Sequence, residues 1–205
     1  MFITIYEDNI DYRKIESVCK CLENDGVCIA PTDTLYAFVC AIDRPKAAHR
    51  LANLKNKKLE KSNFSIICDS LSMASNYVKQ ISDKQFAFIK SLQTGGFTFV
   101  LKASHFTPKI FQNKKRTIGI RITQNKVLLE ILNRLKKPLL VSSLPREDVE
   151  QEEYTDSELI YEKFSQKVDI VIDTGKITGK PSTVLDMSEG DEYEVIRQGL
   201  GVIDD

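Results

Sequence analysis

Val27-Cys28-Ile29-Ala30-Pro31-Thr32-Asp33-Thr34-Leu35-Tyr36 sets the frame for the rest of the chain. Its first four residues are apolar and too few for a helix, so they predict a short buried strand. The turn that follows gathers two hydroxyls, a carboxylate and a phenol at a strand end. Hydroxyls and free backbone N–H groups so placed can receive carboxylate or phosphate oxygens. They can equally close a turn on their own backbone. Tyr36 to Ile42 predicts a second strand leaving that turn.

Outward from this pair, upstream, Phe2 to Tyr6 predicts a strand, and Ile15, Val18, Cys19 and Leu22 share one face of a helix of about four turns. Asp8 or Asn9 is placed to cap it, and Gly26 sits where a helix stops. Downstream, the pattern predicts helices over Lys46–Leu54, Ser70–Tyr77, Ser82–Leu92 and Asn125–Leu135, the last capped by Asn125. Strands are predicted at Phe64–Cys68, Phe97–Leu101, Thr117–Ile122 and Leu139–Val141. An acidic loop over 147–158 leads to a helix at Ser157–Phe164, and strands follow at Val168–Ile172, Thr183–Asp186 and Glu194–Ile196. No Gly/Ser/Pro-rich linker or internal repeat divides the chain, so 1–205 reads as a single domain. Helices and strands mix without strict alternation, which predicts an α/β fold with a mixed sheet flanked by helices.

Composition narrows the class. At 205 residues, 42% hydrophobic and 28% charged, the chain is ordinary for a globular protein. It has no apolar run long enough to span a bilayer, which is about 18 residues or more. Met1 to Asn9 lacks the basic start and apolar stretch of a signal peptide, so a cytoplasmic protein with no membrane partner is expected. Five cysteines form an odd set without a CxxC pair, and only two histidines exist. Small buried thiols are expected, rather than a disulfide framework or a zinc site. Net charge is zero, yet basic groups cluster at Lys55–Lys61, Lys109–Arg116 and Arg134–Lys137, while 147–158 carries seven acids and no base. Basic clusters on one face would attract phosphate; singly, each is a solvated helix end or loop.

Several further segments could carry chemistry. Lys55 and Lys57 follow a helix and could hold phosphate as point charges, or merely suit the helix dipole. Thr94-Gly95-Gly96 permits close backbone approach to a ligand or a tight turn. Thr117, Gly119 and Arg121 share one strand face by the period of two. A hydroxyl, an open space and a guanidinium make a receptor for an anion, although a strand-end Arg can also snorkel to water. Ser143, Ser182 and Arg197 each stand beside a strand end.

In order, these segments resemble the YrdC/YciO family, to which threonylcarbamoyl-AMP synthases belong. Pro31-Thr32-Asp33-Thr34-Leu35-Tyr36 is similar to its PT-D/E-T-x-Y opening and Lys55-Asn56-Lys57 to its K-x-R. Gly96-Phe97-Thr98-Phe99-Val100-Leu101 resembles G-x-x-T-x-I/V-L, and Thr117-Ile118-Gly119-Ile120-Arg121 resembles T-V-G-V-R. Pro181-Ser182-Thr183-Val184-Leu185-Asp186 resembles P-S-T-V-V-D, and Ile196-Arg197-Gln198-Gly199 the closing L-R-x-G. Ser143-Leu144-Pro145-Arg146 replaces the synthases' S-A-N-x-S-G, and Cys68 stands where they often carry a His; both look more like the YciO branch. The resemblance implies a twisted sheet with a large concave basic cleft. It implies a protein that binds ATP or an adenylate, with accompanying Mg²⁺, and L-threonine. Thr32, Thr34, Arg121 and Ser182 would then take the amino acid, and Lys55, Lys57, Thr117, Ser143 and Arg197 the nucleotide. The activity implied is threonylcarbamoyl-AMP synthesis or a related nucleotide reaction, feeding threonylcarbamoyladenosine formation in tRNA. The alternative is a non-catalytic binder of double-stranded RNA or tRNA.

Overall fold

A computed structural model describes residues 1–56, 64–92, 95–108, 115–145, 154–177 and 179–203. Lys57, Lys58, Lys61, Thr94, Lys109, Lys114 and most of the acidic 147–158 segment lie outside the described residues. The elements run β1 (Phe2–Thr4), α1 (Tyr12–Glu23), β2 (Cys28–Ala30), β3 (Ala37–Ala41), α2 (Pro45–Leu54), β4 (Ser65–Cys68), α3 (Leu71–Ser75) and α4 (Asp83–Ser91). They continue β5 (Phe97–Lys102), β6 (Thr117–Ile122), α5 (Lys126–Leu135), β7 (Leu139–Ser143), α6 (Ser157–Phe164), β8 (Ile170–Asp173), β9 (Thr183–Asp186) and β10 (Glu194–Arg197).

The described strands form one mixed sheet in the order β1-β8-β2-β3-β7-β4-β6-β5-β9-β10. Parallel pairs are β1–β8, β2–β8, β4–β6 and β5–β9, and the others are antiparallel. Local chemistry fixes the helix ends. Asn125 accepts from the Leu128 N–H at the start of α5, and Ser82 with Gln85 forms a reciprocal capping box on α4. At α1 the cap is Asp11, which accepts from the Arg13 N–H, and not Asp8 or Asn9. The expected cap fails because the chain first turns back on itself, with Asn9 N–H donating to the Tyr6 carbonyl.

The two sheet faces are covered unequally, and this creates the cleft. On one face Phe38, Ile66, Phe99 and Ile120 pack with Leu51 of α2, Ile89 of α4 and Phe164 of α6. On the other, Ile15, Val18 and Leu22 of α1 and Leu128, Ile131 and Leu132 of α5 cover Val39, Ile67, Val141 and Ile172. Among the described residues, that second layer does not reach the far half of its face. There the register sets Val141, Ser65, Gly119, Val100 and Asp186 side by side across β7, β4, β6, β5 and β9. All five line one cavity. Gly119 keeps its floor low: a Cβ there would meet Ser65 Oγ at 2.3 Å and Thr98 Cγ2 at 3.1 Å.

Candidate functional site

β2 delivers the Pro31–Tyr36 turn to the edge of this floor. Thr32 Oγ1 accepts from the N–H groups of Thr34 and Leu35, both at 3.2 Å, and donates to the Leu35 carbonyl at 2.6 Å. The turn therefore does close on its own backbone, and it also receives a cation. Arg121 Nη2 donates to Thr34 Oγ1 at 2.8 Å and to Thr32 Oγ1 at 3.4 Å. Asp33 points the other way, accepting from Thr123 Oγ1 at 2.7 Å and the Gln124 N–H at 2.6 Å, which pins the turn to the end of β6.

Arg121 does not snorkel; it is 8% exposed. Its Nε is buried without a hydrogen-bond partner, and no ion pair among the described residues includes it. Burial pulls its pKa down to about 10; nearby Asp33 pushes upward and nearby Arg197 pulls it lower. The guanidinium thus stays charged at neutral pH while most of its water is gone. A buried charge with a spare donor is costly unless an anion completes it.

Other groups converge on the same floor. Arg197 Nη2 donates to the Ser182 carbonyl at 2.8 Å and to Ser182 Oγ at 3.1 Å, and Ser182 Oγ lies 2.8 Å from Thr98 Oγ1. Lys55 Nζ donates to Ser142 Oγ at 2.9 Å and Ser143 Oγ at 3.1 Å. Two cavities meet here. A larger one of about 470 Å³ is lined by Lys115, Thr117, Ser142 and Asp186, among others. A smaller one of about 230 Å³ is lined by Thr34, Leu35, Tyr36 and Pro181. Arg121, Ser143, Ser182 and Arg197 line both.

Of the residues singled out from sequence, Thr34, Thr117, Arg121, Ser143, Ser182 and Arg197 line these cavities. Thr32 lines neither; it is buried behind Thr34 and helps place Arg121. Lys55 reaches the rim through its two serines, and Lys57 lies outside the described residues. The Gly95-Gly96 pair serves the chain itself. Gly95 has φ +76°, and a Cβ there would meet Asp33 Oδ1 at 2.3 Å, while one on Gly96 would meet the Gly201 backbone at 3.2 Å. Ser142, beside Ser143 at its strand end, also lines the larger cavity, as do Thr98, Lys115 and Asp186, which stood in motif matches or a basic cluster without a site role. Thr98 and Asp186 could have been found by the period of two within Thr98-Val100 and Ser182-Val184-Asp186. Cys68, on the opposite sheet face, belongs to the core over α2–α4 and takes no part in the site.

A half-sheet floor with a buried arginine at the junction of two cavities gives this α/β protein a candidate small-molecule site. The family model Sua5_yciO_yrdC, described as "Telomere recombination", matches residues 20–199. The chain belongs to this Sua5/YciO/YrdC family. It is 32% identical to the uncharacterized protein YciO of Escherichia coli K12 over 98% of this chain and 96% of that one. It is 26% identical to a threonylcarbamoyl-AMP synthase of Coxiella burnetii over 88% of this chain and 97% of the relative. The crystal structure of E. coli YciO superposes with a TM-score of 0.89 at 30% identity, covering 98% of this chain and 97% of that one. The fold is also that of P. abyssi Sua5 complexed with L-threonine, with a TM-score of 0.84 at 21% identity, over 97% of this chain and 57% of that one. No helix among the described residues is long and apolar enough to cross a membrane.

Proposed function

We propose that this protein binds ATP or an adenylate in the larger cavity and L-threonine in the smaller, and acts as a threonylcarbamoyl-AMP synthase or a related acyl-adenylate enzyme linked to tRNA threonylcarbamoyladenosine. The observation that carries the reading is Arg121: a buried guanidinium with an open Nε, at the wall shared by a cavity of about 470 Å³ and one of about 230 Å³. Threonine's carboxylate completes its hydrogen bonds by the two-point geometry that arginine favours. Thr34 and Ser182 then face the amino acid, while Lys55, Thr117, Ser143 and Arg197 face phosphates; Lys57 is assigned there on family resemblance alone.

The synthase reaction suits such a donor set. A carbamate oxygen attacks the α-phosphorus and pyrophosphate leaves, so the demand is for positioning and charge neutralisation and not for a strong base. Among the described residues no group of three or more His, Cys, Asp or Glu side chains gathers to cage a metal. A Mg²⁺ would therefore take its ligands chiefly from the phosphates, with Asp186 the carboxylate at hand in the larger cavity. Bound there, the ion would neutralise charge on the leaving pyrophosphate.

Purified protein is to be mixed with ATP, L-threonine, bicarbonate and Mg²⁺, and separately with threonylcarbamoyl-AMP. Pyrophosphate release or turnover of the adenylate is expected. Neither reaction at micromolar enzyme would reject the enzymatic reading. The double-stranded RNA or tRNA reading ranks second because the one basic cluster described in full is already engaged: Arg134 pairs with Glu16, Lys137 with Asp43, and Lys136 donates to Asn133.

A further inference from the structure

Two of the five cysteines stand apart from the others. Cys28, on β2, is fully buried, and its Sγ lies 3.9 Å from that of Cys21 near the end of α1. Cys21 is only half-buried, whereas Cys19, Cys40 and Cys68 are buried. The expectation of small buried thiols holds for Cys19, Cys28, Cys40 and Cys68, and Cys21 departs from it. The loop between the pair is built around its sulfur. Gly26 N–H donates to the Cys21 carbonyl at 2.9 Å, and a Cβ on Gly26 would meet Cys21 Sγ at 2.3 Å.

We propose that Cys21 and Cys28 form a thiol-oxidation site, in which a hydroperoxide oxidises Cys21 and Cys28 resolves it as an intramolecular disulfide. The surroundings divide the two roles. The Cys28 S–H donates to Cys21 sulfur, and this hydrogen bond holds the Cys21 thiol below its ordinary value against burial and the nearby Asp169; Arg50 and the N-terminal ammonium act in the same lowering sense. The same hydrogen bond, followed by burial, pushes Cys28 up. Cys40 is pushed up to about 12 by burial and Cys19 to about 11, so neither competes as a thiolate.

The chemistry balances. The Cys21 thiolate attacks one peroxide oxygen, the O–O bond breaks, and the leaving oxygen takes a proton to give water or an alcohol. Cys21 is left as a sulfenic acid. The Cys28 sulfur then attacks the Cys21 sulfur, the S–O bond breaks, and hydroxide leaves with the Cys28 proton as water. Two electrons pass from the thiol pair to the peroxide. The sulfurs must close from 3.9 Å to a bonding distance of about 2 Å. The turn after α1, where Glu23 and Asn24 are exposed and Asp25 takes φ +59°, is the segment that would move.

The test uses the full-length reduced protein and one equivalent of hydrogen peroxide. Loss of two hydrogen atoms from the intact mass is expected; after cleavage at Lys20, Glu23 and Asp33, which puts Cys19, Cys21, Cys28 and Cys40 in different peptides, the Cys21 and Cys28 peptides should stay joined until a dithiol is added. Alkylation of Cys21 by iodoacetamide should run about tenfold or more faster than that of Cys40 or Cys68. Cys21→Ser should lose no hydrogens, and Cys28→Ala, which also loses the hydrogen bond that lowers Cys21, should oxidise more slowly and leave a sulfenic acid that dimedone traps. If Cys28→Ala does not fold, the cleavage map of the wild-type protein decides alone. Oxidation that leaves Cys21 and Cys28 unlinked, or that links either to Cys40, overturns the proposal. So does a Cys21 that reacts no faster than the buried thiols.

Discussion

Replacing Arg121 by Met should stabilise the free protein while abolishing its hold on a carboxylate. Burial lowers the arginine from its ordinary value to about 10, a penalty on the charged form of ~3 kcal/mol at 1.36 kcal/mol per pKa unit. The variant forfeits the hydrogen bonds to Thr34 and Thr32, which return about 1–2 kcal/mol. Thr32 keeps its Leu35 partner and the two threonine hydroxyls keep each other at 3.1 Å, so no polar atom of the turn is orphaned. Methionine still fills most of the apolar stem's space. The balance is a gain of roughly 1–2 kcal/mol. For a chain of this size that raises Tm by about 2–8 °C. The unfolded arginine binds its proton more tightly than the folded one, so the wild-type protein recovers stability as pH rises above about 10 towards the ordinary arginine range, and the variant's advantage shrinks there. Calorimetric melts at neutral pH, with and without saturating L-threonine, supply the readout. Ligand should raise the wild-type Tm and leave the variant's unchanged. A variant that melts several degrees below wild type without ligand would refute the idea that Arg121 is held at a cost for binding.

Further outcomes follow from the same geometry. Lys55→Met should weaken ATP–Mg²⁺ binding by about tenfold, roughly 1.4 kcal/mol, with a shallower salt dependence by calorimetry; unchanged affinity would remove Lys55 from the site. Asp169 is raised by burial but lowered further by hydrogen bonds from Arg50 and the Val27 N–H, so its net shift is downward. Its stabilising contribution is present above the ordinary carboxylate range and lost as pH falls through the depressed value. Asp169→Asn should therefore melt below wild type at neutral pH, with the gap closing only below about pH 4; a gap that persists in acid contradicts this. Leu51, wholly buried under the sheet, should cost about 2–5 kcal/mol on truncation to Ala, read by urea unfolding.

Periodicity and caps made much of the fold legible. Thr117–Ile122, Ser157–Phe164 and Thr183–Asp186 fall where the pattern placed them, and α5 starts one residue after its asparagine cap. The alternation also put Thr117, Gly119 and Arg121 on one face. The openness of that face was not legible. It depends on α1 and α5 reaching only part of the sheet, and on long-range registers such as Ser65 with Gly119 and Val100 with Asp186. Thr32 and Thr34 looked equivalent in the sequence, yet only Thr34 meets a cavity, because a turn closing on Thr32 Oγ1 buries that residue. Cys21 and Cys28 showed no pair signature, since their approach is made by the α1–β2 loop and not by spacing.

The central claim is that the buried guanidinium between the two cavities receives the carboxylate of an amino acid beside a nucleotide. Calorimetric titration of L-threonine into protein saturated with ATP–Mg²⁺, run on wild type and Arg121→Met, tests it most directly. The account predicts one site on the wild-type protein and an affinity at least about tenfold weaker on the variant, ~1.4 kcal/mol or more. Equal affinity on both proteins, or no binding to the wild type at millimolar threonine, would contradict it.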